Sequence, residues 1–150
     1  MLANIEAIRA IERRCRDHKP LSAEQRQWLG NALSAFLEHR CSSIDSALGL
    51  ANPRGGVPWW LEEAIRKRNA ALCALARTCF ADLSASAQAE QIWKLATRYA
   101  ASAWRFDQGR EDMPTHYAGT PKHYLWAAFA SGAAMPLGKR QLRSVLAAVA

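Results

Sequence analysis

Three basic residues near the C-terminus, Lys139, Arg140 and Arg143, have the types and spacing for phosphate contact. They fall within about one turn of a helix, and no acid follows Asp112 in the chain. Such a cluster attracts polyanions without regard to base sequence, and salt weakens the attraction. Lys67 and Arg68 add two adjacent cations upstream. Arg54 precedes Gly55-Gly56, whose amides, close to a helix opening at Trp59, could hold a phosphate. Each feature also has a plain reading: a solvated helix face for the lysines and arginines, a connecting loop for Arg54-Gly-Gly.

Aromatic residues supply a second chemistry. Trp59 and Trp60 are consecutive and cannot both face one way; an exposed ring there would stack on an unpaired base or anchor a protein partner. Trp93 and Trp104 fall on an apolar helix face and read as core.

Catalytic and metal chemistry find less support. Cys15, His18, His39 and Cys41 are zinc-type ligands, but they close two successive helices. In a hairpin those ends stand about 30 Å apart. Cys73 and Cys79 lie on different sides of one helix and cannot bond to each other, so the cysteines read as small core residues. Pro114 separates Arg110 from His116 and denies them a shared helix. Glu111, Asp112, His116 and His123 match no defined metal geometry. With no nucleotide-binding glycine loop and no Ser/His/acid set, the chain is expected to have no catalytic residue, metal or cofactor.

The elements that position these residues are helical. Ile5, Ile8, Ile11 and Cys15 recur at helical steps and predict a first helix over 2–18, ended by Lys19-Pro20. Ser22-Ala-Glu-Gln25 is a capping box. It opens a second helix whose expected buried face is Trp28, Leu29, Ala32, Leu33, Phe36 and Leu37. Ser43–Leu48 forms a short third helix closed by Gly49. A fourth runs from Trp59 to about Ala81, with Leu61, Ile65, Leu72 and Leu75 on one side and Glu62 and Glu63 placed to pair with Arg66 and Lys67. A fifth starts at Ser84 or Ser86 and carries Ala89, Ile92, Trp93, Ala96, Tyr99, Ala100, Ala103 and Trp104 at the expected centre of the core. Residues 105–119 read as a polar crossing loop. Thr120-Pro121 then restarts a helix as cap and first-turn proline.

The last pair of helices has part of the helix-turn-helix pattern. Ala128 stands four residues before Gly132, but Ala133–Gly138 lengthens the turn and delays the anchors Leu142, Val145 and Leu146. Ile44–Leu50 has a similar outline, with Asp45 where the pattern takes Ala. Formal charge is +7 over 150 residues, distributed as +1 over 1–50, +4 over 51–110 and +2 over 111–150. The apolar runs are far shorter than the ~20 residues of a membrane span, and the amphipathic N-terminus is not a signal peptide.

The expectation is therefore an all-α, cytoplasmic protein folding as one domain over 1–150. It comprises an N-terminal helix hairpin (1–41), central helices (42–119) and a C-terminal helix pair (120–150). Its expected partner is nucleic acid, DNA before RNA, held by Arg54, Lys67, Arg68, Lys139, Arg140 and Arg143. The alternative is a protein-interaction or inhibitor module of the mobile-element kind, docking through Trp59 or Trp60.

Overall fold

The structure, a computed structural model, describes residues 2–52 and 56–148, so Arg54 and Gly55 of the predicted Arg54-Gly-Gly phosphate loop lie outside the described residues. Every regular element described is helical: α1 (Leu2–Arg16), α2 (Ala23–Leu37), α3 (Ile44–Ala47), α4 (Trp59–Cys79), α5 (Ala85–Ala101), α6 (Trp104–Asp107), a 3-10 turn (Thr115–Tyr117), α7 (Pro121–Ala130) and α8 (Lys139–Ala147). The chain divides into two compact units, Met1–Trp59 and Trp60–Ala150.

In the first unit the capping box forms as predicted. The Gln25 amide donates to Ser22 Oγ at 3.1 Å and the Ser22 amide donates to Gln25 Oε1 at 3.0 Å. His18 and His39, considered above as metal ligands, instead terminate α1 and α2. Both adopt left-handed backbone, φ 54° and 56°, and the next amides, Lys19 and Arg40, reach back to the Arg14 and Ala35 carbonyls at 2.8 and 2.9 Å. That is a helix C-cap satisfying otherwise unpaired carbonyls. Gly49 closes α3 in the same way at φ 68°. A Cβ there would stand 2.4 Å from Asn4 Nδ2, whose amide donates to the Leu48 and Gly49 carbonyls at 3.1 and 3.3 Å.

The buried face expected for α2 shrinks to Ala32, with Trp28 and Leu29 half-buried, while Leu33, Phe36 and Leu37 are exposed; the other buried apolar residues of this unit are Ile5, Ile11 and Leu50. Three helices, one of four residues, have too little surface to cover so wide a stripe.

The second unit is built around α5, as predicted. Ala89, Ile92, Ala96 and Tyr99 pack with Leu72, Leu75 and Ala76 of α4, Leu125 and Ala128 of α7, and Leu142 of α8. The fifth helix ends earlier than its apolar pattern suggested, at Ala101. Ser102 Oγ donates to the Arg98 carbonyl at 2.7 Å and Ser102 leaves helical geometry at φ −123°, ψ −94°, an instance of a serine competing with the helix ladder. Trp104 therefore belongs to α6, where its ring meets Tyr99 and Phe129 with centroids 6.2 and 5.3 Å away. Thr120 precedes α7 but does not cap it with its side chain; the hydroxyl donates backwards to the Tyr117 carbonyl at 2.8 Å.

Candidate functional site

The basic helix α8 is positioned by its apolar side. Leu142 and Val145 are buried and the helix packs chiefly on α5, whereas a helix-turn-helix pair would lay it on α7. Lys139, Arg140 and Arg143 face outward. Lys139 is engaged: its Nζ lies 3.0 Å from Glu90 Oε1 and 5.4 Å above the Trp93 ring centroid. Glu90 also meets Lys94 at 3.3 Å, and these hydrogen bonds, Lys139 first, hold its carboxyl below the ordinary range. Arg140 and Arg143 are exposed and meet no acid among the described residues.

Between α5 and the segment leading into α8 runs an apolar groove of about 580 Å³. Trp93, Ala96, Phe129, Met135, Pro136 and Leu142 are among its walls. Leu137 stands at its edge with 93% of its surface exposed.

Lys67 and Arg68, adjacent in sequence, part company. Arg68 is only 8% exposed; its guanidinium donates to the Ala134 carbonyl and, from Nη2 at 2.8 Å and Nε at 3.0 Å, to Asn69 Oδ1. Burial lowers its pKa. Its donors are committed inside the fold, so Arg68 is a strut between α4 and the loop before α8, and its assignment as a phosphate contact is corrected.

Lys67 is exposed, with Glu63 Oε2 at 4.0 Å. It lines a second cleft of about 550 Å³ with Ala70, Arg110, Glu111, Trp126, Ala127, Ala130 and Ser131. The Trp126 indole N–H is shut off from solvent and has no acceptor among the described residues. Trp60 precedes Lys67 by seven residues, nearly two turns, and so lies on the same side of α4 about 10 Å away along the axis. It is 58% exposed, whereas Trp59 is half-buried; of the two predicted anchors, only Trp60 presents its ring.

Arg110 is held by a group that sequence reasoning placed in a polar loop. Asp107 is 5% exposed, and its Oδ2 accepts from the Tyr99 and Tyr117 hydroxyls, both at 2.8 Å. Its Oδ1 lies 3.6 Å from Arg110 Nε. Burial first, then the Asp107 hydrogen bond, pushes both phenols above their ordinary pKa; Arg110 opposes this at Tyr117. The cluster ties the end of α5 to α6 and to the 3-10 turn before α7, and so fixes one wall of the cleft. His116 is exposed against Tyr117, and the described residues contain no group of three His, Cys, Asp or Glu able to hold a metal.

No protein-family model matches this chain, and no curated protein or solved structure is significantly similar to it. No helix of the described residues is long and apolar enough to cross a membrane.

Proposed function

We propose that the chain is a non-catalytic, cytoplasmic nucleic-acid-binding protein, and that residues 60–150 carry the binding surface. One observation carries this reading: Arg140 and Arg143 project from α8 with no acid opposite them among the described residues, on a helix anchored from its other side by Leu142 and Val145. The surrounding charge agrees. Residues 60–150 hold twelve Lys/Arg against seven Asp/Glu, a net of +5, and two of those acids, Glu90 and Asp107, already serve internal cations. Guanidinium groups on a firmly seated helix bind phosphate oxygens and release counterions, which makes affinity fall steeply with salt.

The test is a binding titration against duplex and single-stranded DNA and RNA at two salt concentrations. Arg140→Gln with Arg143→Gln leaves the fold intact and reduces the salt slope on duplex by roughly two units, about one for each phosphate no longer neutralised. A parent protein that binds nothing at micromolar concentration overturns the reading. The protein-interaction reading then takes its place, supported by the exposed ring of Trp60.

A further inference from the structure

The cleft between α4 and α7 is the feature of this molecule with the most specific chemistry. Two cations from distant parts of the chain, Lys67 and Arg110, converge on it. Behind them the walls are small and apolar, with Ala70, Ala127 and Ala130 leaving room for a flat group beside Trp126. Its volume, about 550 Å³, falls within the range of small-ligand pockets. Glu111 reduces the lining to one net positive charge and offers an acceptor to an exocyclic amine. Trp126 contributes its ring to the lining; its N–H is shut off from solvent and takes no part in holding an occupant.

We infer that this cleft binds one unpaired nucleotide, its phosphate on Lys67 and Arg110 and its base against Trp126 and the alanines. Trp60, farther along the same side of α4, offers a second base a stacking surface. A base inside a duplex cannot reach such a cleft without leaving its stack. The site therefore selects single strands, whereas the outward arginines of α8 engage phosphates of either form. This inference rests on the proposed nucleic-acid function for the polymer, but not for the mononucleotide.

The experiment compares labelled oligonucleotides of about a dozen nucleotides, within the span of known single-strand sites, as single strands and as duplexes, by fluorescence anisotropy. The parent binds the single strand about tenfold more tightly, the effect of roughly one stacked base. Lys67→Gln with Arg110→Gln removes that preference, and Ala130→Trp, which fills the cleft and keeps both cations in the chain, removes it too. Both leave duplex binding near the parent's, while the α8 arginine variant weakens both forms. Melting curves with adenosine monophosphate and with inorganic phosphate accompany each protein. The nucleotide stabilises the parent and neither cleft variant. Equal affinity for the two strand forms, or cleft variants that keep the preference, overturns the inference and leaves the α8 reading standing. If no polymer binds, the nucleic-acid function fails and the melting curves decide the cleft: a shift with the nucleotide alone supports it. No shift, or an equal shift with phosphate, overturns it.

Discussion

The two clefts in residues 60–150 are nearly equal in size and share α7 as a wall, yet they are built from opposite materials. The groove beside α5 is walled by the outer sides of core residues: Ala96 and Leu142 are buried, and Trp93 and Phe129 pack against the same cluster. The cleft beside α4 is lined by long charged side chains over alanines. The groove is a seam in the packing, and its shape follows from the core. The cleft carries chemistry that packing does not require. Substitutions in the first should therefore register as reduced stability and in the second as weakened binding.

The sharpest challenge to that division is Asp107→Ala, because Asp107 supports Arg110 in the cleft and Tyr99 in the core at once. Removing it leaves two buried hydroxyls without their acceptor, at about 1–3 kcal/mol each, so denaturant unfolding should show a loss of roughly 2–6 kcal/mol. A loss below about 1 kcal/mol would mean that the phenols find other partners and that cleft and core are independent. Next, Trp93→Ala should cost about 2–4 kcal/mol, somewhat less than a fully buried aromatic, while Trp60→Ala should stay within about 0.5 kcal/mol, as surface changes do. Equal losses would show Trp60 to be part of the packing and not a free surface ring.

Alkaline pH provides a third check. The folded state holds the Tyr99 and Tyr117 protons above the pH at which an unfolded chain releases them. Their stabilisation is complete below about pH 10 and declines as pH rises beyond it, by up to about 1.4 kcal/mol per pH unit for each phenol. Unfolding followed between neutral pH and pH 11 should show this decline in the parent and a shallower one in Tyr99→Phe. Smallest of all, Lys67→Gln should change the melting temperature negligibly, since its own side chain is exposed and its ion pair with Glu63 is long; a marked drop would make Lys67 part of the packing.

What the sequence made legible was local. The Ser22 capping box, Gly49 at a helix end, Pro121 in a first turn and the apolar face of α5 each follow from a few neighbouring residues. Arg68 shows a signal that was present but overridden by residue type. Leu61, Ile65, Arg68, Leu72 and Leu75 are spaced four, three, four and three apart, so Arg68 continues the inward stripe while Lys67 lies about 100° away. Spacing decided burial, and charge misled. Asp107 had no such signal. Its burial depends on the break at Ser102, which turns α6 back on Tyr99, and on Tyr117 arriving from beyond a ten-residue separation. Leu33, Phe36 and Leu37 erred in the other direction, since periodicity states which residues share a face but not whether anything covers it.

Trp126 gives the cleft its own spectroscopic reporter. Indole protons that are hydrogen-bonded resonate downfield of those that are not, and a proton shut away from water exchanges slowly. Among six tryptophans, Trp126 combines a buried N–H with no acceptor among the described residues, so its signal should stand upfield and persist in heavy water. A base lying against the indole ring would move that single resonance through its ring current, allowing the cleft to be followed in the unmodified protein without a label on either molecule.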